Sequence, residues 1–252
     1  MTLRVLVVTA VAAEAHSVAG GLVGCAARSS RPLPSGHTVT GHLLTGHALA
    51  RPAGPAAPVV DVLAAGVGPA AAAVGAATAL ATAPYPYDLV ITAGIGGGFA
   101  PRAPIGSLVV SDSIVAADLG ADTPGGYLPV EELGFGRSVH TPPAALTARL
   151  AEAVRDTGLP CLLAPVLTVS TVTGTAARAA ELTARHPRAG AEAMEGFGVA
   201  EAAAAHGVPA VEVRAVSNTV GPRDRAAWRI GEALGALRAA FEPLSTRIFR
   251  EE

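Results

Sequence analysis

The chain has 252 residues, half of them hydrophobic and 15% charged, with a formal net charge of -2. That length is enough for one domain with a sizeable core, and the absence of a basic run removes the electrostatic footprint that nucleic acid requires. No stretch of about 18 residues is apolar without a Gly, Pro or charge, so no membrane-spanning helix is expected. Met1-Thr2-Leu3-Arg4 followed by Val5–Val8 reads as a first strand and not as a leader, which predicts a cytoplasmic protein. Cys25 and Cys161 lack C-x-x-C spacing and are expected as buried thiols. A small-molecule partner is favoured by elimination.

In chain order, strand and helix signals alternate. Leu3–Thr9 is β-branched, Ala12–Leu22 suits a helix, and Thr38–Thr45 is a weak strand within a Gly- and Pro-rich stretch. Val59–Ala64 is a buried strand, and Pro69 opens a helix over Ala70–Thr82. Leu89–Ala93 is a strand running into Gly94-Ile95-Gly96-Gly97-Gly98, and Leu108–Val115 is another. After a long Gly- and Pro-rich loop from Asp118 to Arg137 come a helix over Pro142–Thr157, a strand over Leu162–Val169 and a helix over Ala176–Arg185. A strand end carrying Glu192, Met194 and Glu195 leads into an Ala-rich helix, then into the strand Val208–Val216, which ends in Ser217-Asn218. The last helix is expected from Asp224 to about Phe241. With no repeat and no linker, the pattern predicts one α/β domain over residues 1–252, a three-layer fold with a mixed, largely parallel sheet.

In such a sheet the carboxyl ends of strands line the ligand crevice, so Glu195 and Asn218 are expected to meet there. A carboxylate and an amide at neighbouring strand ends suit a small polar ligand. Gly66-Val67-Gly68-Pro69-Ala70-Ala71 fits G-x-G-x-x-A between a strand and a helix, but the ribose-binding acid of a dinucleotide site is missing from the end of the next strand. Tight strand-to-helix packing beside a ligand is its expected use. Gly94–Gly98 lacks the Lys-Ser/Thr of a phosphate loop and is expected to bring backbone close to the ligand. His37, His42 and His47 are five apart, which reverses strand parity at each step, so they are read as surface or loop residues and no metal is expected. Glu14 suits the positive end of a helix on its own account.

Together, Glu14 after the first strand, G-V-G-P-A-A-A-A at 66–73, A-G-I-G-G-G-F at 93–99, I-G-S-L-V-V-S-D at 105–112, A-M-E-G at 193–196 and R-A-V-S-N at 214–218 resemble the nucleoside phosphorylase and nucleosidase family in order and spacing. A-D-L-G-A-D-T-P-G-G at 117–126, E-L-G-F-G at 132–136 and V-G-P-R-D-R-A-A-W-R-I at 220–230 are similar to its futalosine hydrolase branch. The resemblance implies a nucleoside phosphorylase-like fold, no cofactor, and a purine nucleoside as substrate. It implies that Glu14 orients and deprotonates the attacking water, that Glu195 accepts hydrogen bonds from the ribose hydroxyls, and that Met194 packs under the sugar. It also implies that Asn218 holds the base, with Gly68, Ile95, Gly96, Thr173 and Phe197 lining the site.

Asn218 stands where adenine-specific nucleosidases carry Asp. An amide offers donor and acceptor together, which suits a 6-oxopurine such as hypoxanthine. Thr92 and Ile95 stand where phosphorolytic relatives carry Arg and Ser, so water is the expected nucleophile. The branch further implies a 5′ aromatic carboxylate tail on the substrate, for which Arg223 and Arg225, or the loop 118–137, are candidates, and a site near a homodimer interface. Two other readings are an adenine nucleosidase acting on methylthioadenosine or adenosylhomocysteine, and a catalytically silent nucleoside-binding protein.

Overall fold

In the computed structural model, residues 3–44 and 58–249 are described, without the side chains of residues 26–28. His47 lies outside that range. The strands are β1 (Arg4–Thr9), β2 (Cys25–Pro32), β3 (Thr38–Leu44), β4 (Val59–Ala64), β5 (Leu89–Gly98), β6 (Leu108–Ala116), β7 (Gly120–Thr123), β8 (Gly126–Pro129), β9 (Val139–His140), β10 (Cys161–Thr168), β11 (Ala191–Ala193) and β12 (Ala210–Thr219). The helices are α1 (Ala12–Gly21), α2 (Pro69–Ala81), α3 (Ala144–Arg155), α4 (Ala176–Arg185), α5 (Gly196–Ala205) and α6 (Ile230–Pro243).

Among the described residues the main sheet runs β11-β10-β6-β12-β5-β1-β4-β3-β2, with β9 on β6. β4-β1-β5-β12 and β6-β10-β11 are parallel runs. An antiparallel β12–β6 pair joins them, and an antiparallel β11–β5 pair closes β5, β12, β6, β10 and β11 into a ring. Strands buried on both faces need apolar residues at both parities, and β1 supplies them. Val5 and Val7 pack with Val18, Leu150, Val154, Leu237 and Phe241 from the α1, α3 and α6 side. Leu6 and Val8 pack with Ala72, Ala76, Val199 and Ala203 from the α2 and α5 side. The three-layer α/β expectation is met.

The glycine run of 94–98 is part of β5, not a loop after it, and it contacts β12 on one side and β11 on the other. A Cβ on Gly96 would sit 2.7 Å from the Glu192 carbonyl, and one on Gly98 would sit 2.1 Å from the Ala103 carbonyl. Glycine therefore lets backbone approach backbone here, which outweighs its weak strand propensity. The loop 118–137 contains the β7–β8 hairpin, and β2 is an unexpected edge strand paired with β3. His42, expected at the surface or in a loop, is instead buried on β3, because pairing with β4 on one side and β2 on the other makes β3 an interior strand. Cys25 and Cys161 are half-buried and not fully inside. No helix among the described residues is long and apolar enough to cross a membrane.

The expected helix from Asp224 is shorter than its pattern. The Asp224 side chain caps a single 3₁₀ turn over Arg225–Ala227, Trp228 is extended, and the α-helix starts at Ile230. The Arg229 N–H donates to the Ser217 carbonyl, which ties the segment to the end of β12 and diverts it from helix.

Candidate active site

A cavity of about 280 Å³ opens at the carboxyl ends of β1, β5, β11 and β12. It brings together Glu14, Ile95, Gly96, Thr173, Met194, Glu195, Asn218 and Arg223. Glu14 occupies the third position of α1 and reaches back over its own helix start. Its Oε2 accepts from the N–H groups of Ala10 at 2.9 Å and Val11 at 3.2 Å, half of a capping box. Oε1 accepts from the Ile95 N–H at 2.9 Å. The carboxylate is 4% exposed and fixed from two elements. A Cβ at Gly94 would lie 2.6 Å from this Oε1, so glycine is required beside it.

Glu195 holds the N-cap position just before α5, with 5% exposure. Its Oε1 accepts from the Gly68 N–H at 3.2 Å, and Gly68 can present that N–H because its φ of 93° is open to glycine. Gly68 thus acts through Glu195. Its Oε2 lies 3.1 Å from Arg214 Nη1. Arg214 is 1% exposed and holds a second carboxylate, with Nε 2.7 Å from Glu212 Oε1. Burial alone would lower the Arg214 pKa, but Glu212, Glu195 and Glu14 reverse this and hold it above its ordinary range. Burial pushes the Glu212 carboxyl up, against the pull of Arg214.

Asn218 owes its direction to a break in pairing. Val216 opposes Gly96 and Asn218 opposes Gly97, so Ser217 is the extra residue of a bulge, a feature that re-aims side chains. The Ser217 hydroxyl donates to Asn218 Oδ1 at 2.9 Å, leaving the amide half-exposed in the cavity.

Two expected residues stand elsewhere. Phe197 follows Glu195 on α5, but its ring turns into the core against Ile114, Ala116 and Ala200, 5.2 Å from the His140 ring. The helical turn sends it away from the cavity. Arg225 is absent from the lining; the 3₁₀ turn carries its guanidinium over the Trp228 ring at 5.8 Å. Arg223 does reach the cavity and lies 5.1 Å from the same ring.

Three residues were not foreseen. Trp228 lines the cavity because its segment is extended. Arg214 sits beneath the site, and its place in a strand two residues from Glu212 was the available signal, since such neighbours share a face. Glu192 lines the cavity at 5% exposure, accepting from the Thr173 N–H at 2.8 Å and from the Thr173 hydroxyl. Burial raises its pKa against those two bonds.

A model of the phosphorylase superfamily matches residues 4–248. Futalosine hydrolase of Streptomyces coelicolor is 66% identical over 188 residues, covering 73% of this chain and 78% of that protein. Futalosine hydrolase of Acidothermus cellulolyticus is 45% identical over 249 residues, covering 97% of this chain and 91% of that protein. Among solved structures, native futalosine hydrolase of Helicobacter pylori superposes with a TM-score of 0.78 over 97% of each chain; at 16% sequence identity that likeness is one of fold.

Proposed function

The chain belongs to the phosphorylase superfamily, within it to the futalosine hydrolases, and from that premise we propose that it cleaves the N-glycosidic bond of futalosine with water, releasing hypoxanthine and the dehypoxanthinyl product. The observation that carries the reading is the placement of two fixed carboxylates, Glu14 and Glu195, on one cavity with the amide of Asn218. Glu195, braced by Arg214 and Gly68, takes the ribose hydroxyls. Met194 packs under the sugar. Glu14 takes a proton from the water that attacks C1′, a contribution of about 10² to 10⁴ in rate. The C1′–N9 electrons leave with the base, which takes a proton from solvent at N7 while Glu14 later returns its proton to solvent, and Asn218 donates to O6 and accepts from the N7–H.

Water is favoured over phosphate because the cavity lining holds three carboxylates, those of Glu14, Glu192 and Glu195, against Arg223. The buried Arg214 is engaged with Glu212 and Glu195. A dianion has poor support there. Arg223 and Trp228 suit the aromatic carboxylate tail of the substrate, one by charge and the other by its ring face. A homodimer would find apolar surface in Leu119 and Phe135, which are 42% and 71% exposed on the segment 118–137.

Purified protein incubated with futalosine, inosine and methylthioadenosine, each with and without phosphate, tests the reading through the free base released. Hypoxanthine from futalosine without phosphate is expected. Release only when phosphate is supplied would overturn water as nucleophile, and adenine release would move the substrate to the methylthioadenosine class.

A further inference from the structure

We infer that Glu192 reads the base: its carboxylate accepts a hydrogen bond from the N1–H of a 6-oxopurine, across the cavity from Asn218, and rejects a 6-aminopurine, whose N1 is itself an acceptor. The inference rests on the hydrolase reading above and names the residue that selects the base within that site.

The sheet register carries the argument. Glu192 on β11 and Asn218 on β12 both oppose Gly97 of β5, one from each side. Residues directly opposite one another stand on the same face of a sheet. Two interstrand spacings put their Cα atoms roughly 9 to 10 Å apart. Gly97 contributes no side chain between them, and a Cβ there would lie 3.3 Å from Asn218 Nδ2. Val220 Cγ2 would lie 2.9 Å from that Cβ, so the glycine leaves room for the Val220 side chain, and the cavity is lined by Gly97 with the amide on one side and the carboxylate on the other. A planar purine set in it with O6 and N7 toward Asn218 carries N1–H on the adjoining edge, and with that edge turned toward β11 it meets Glu192.

The chemistry of Glu192 matches that edge. It is buried, faces the cavity and is in no ion pair among the described residues. Its neighbours are two donors from one residue: the Thr173 N–H on Oε1 and the Thr173 hydroxyl on Oε2. Each carboxylate oxygen accepts two bonds, so one site on each remains for a ligand. The charges that reach it are Arg178 on α4, which favours the ionised form, and Asp118, which opposes it. Arg178 is itself paired with Glu181. Burial raises this carboxyl; in its ionised form it has only acceptor capacity to offer. Hypoxanthine satisfies it through N1–H; adenine meets it lone pair to lone pair and leaves both groups unpaired, the kind of mismatch that discriminates most strongly.

The test compares kcat/KM for futalosine and for its 6-amino analogue in the wild type and in Glu192→Gln. Glutamine offers a donor and an acceptor, so the preference for futalosine should fall by about 100-fold or more, through a gain on the amino substrate. An equal loss on both substrates would mean that Glu192 only anchors the Thr173 segment. Collapse of kcat on both, with loss of the acidic limb of the pH profile, would make it a proton donor; either result overturns the inference.

A measurement on the wild type needs no variant. Burial raises the Glu192 carboxyl, so titration calorimetry with free hypoxanthine and free adenine over a descending pH series should show hypoxanthine weakening and adenine strengthening as Glu192 gains a proton. Parallel behaviour of the two bases would refute the assignment. If the wild type releases no hypoxanthine from futalosine, the hydrolase reading fails; if it does and Glu192→Gln leaves the preference unchanged, this inference alone fails.

Discussion

Replacing Arg214 with Met tests the foundation of the site. The guanidinium donates Nε to Glu212 at 2.7 Å and Nη2 to Thr92 Oγ1 at 3.3 Å, and its Nη1 lies 3.1 Å from Glu195. The Glu212 side chain is 0% exposed and that of Glu195 6%. Methionine fills most of the volume but leaves two buried carboxyls without a counter-charge, which costs about 3 to 5 kcal/mol. For a chain of this length, at about 2 to 4 °C per kcal/mol, the melting temperature should fall by roughly 6 to 20 °C. The loss has a pH signature. Burial already raises the Glu212 pKa, and without Arg214 it rises further above its unfolded value. A carboxyl raised in this way weakens the fold increasingly as pH climbs from the unfolded toward the folded pKa, and the penalty vanishes below both. The deficit should therefore be largest at pH 8 and shrink toward pH 5. Removing the second charge as well, in Arg214→Met/Glu212→Leu, should restore at least half of the loss, because a buried pair exchanged for apolar side chains is often close to neutral. Scanning calorimetry at several pH values on both variants decides it. A single variant within 1 kcal/mol of wild type, or a double variant less stable than the single, would refute the account of Arg214 as a buried clamp.

Glu14→Gln should leave the melting temperature within a few degrees while lowering kcat about 10² to 10⁴-fold, measured as hypoxanthine release; an unchanged kcat would remove Glu14 as the base. Gly198→Ala places a Cβ 2.0 Å from the Pro69 carbonyl where α5 crosses α2. Denaturant titration should show a loss of about 1 to 3 kcal/mol despite the gain in helix propensity, with activity lost as well because α2 carries the Gly68 N–H to Glu195. Arg223→Ala should raise KM for futalosine much more than for inosine, and equal changes would detach Arg223 from the tail. Burial pushes the Cys161 thiol up to about 11, so at pH 8 only about one thiol in a thousand is ionised. Alkylation followed by mass spectrometry should find it far slower than a free thiol, and rapid labelling there would contradict the burial.

The sequence reads clearly where periodicity and burial agree. β1, β4 and β10 are β-branched or leucine-rich runs, α2 begins where Pro69 marks it, and α4 spans the expected Ala176–Arg185. β2 escaped notice because Ala26-Ala27-Arg28-Ser29-Ser30 has neither alternation nor bulk; only pairing with β3 makes it a strand. Gly94–Gly98 was legible as a close approach of backbone but not as sheet, since glycine disfavours a strand unless neighbours crowd it on both sides. In the site, Glu195 and Asn218 could be placed together because each comes at the end of a strand, whereas Glu14 entered only through the family resemblance. Phe197 was misassigned because sequence adjacency to Glu195 does not tell which way a helix turns its next side chain. Trp228 and Arg225 depended on a helix start that the tie between Arg229 and Ser217 moved to Ile230, a contact between distant segments that no local pattern records.

The ring through β5 bears on how the chain matures. Val90 pairs with Ala210 and Gly98 with Thr219 and Ala191, so the strand on which the floor of the cavity is built finds two of its three partners more than a third of the chain later. Contacts of such sequence separation form slowly, because the entropy of closing the intervening loop must be overcome before they stabilise anything. During synthesis, β1, β4 and β5 can assemble with α1 and α2 while the glycine half of β5 has nothing to pair with. Until β11 and β12 have left the ribosome that stretch lacks both of its strand partners, and truncated chains lacking them should be found aggregated or degraded.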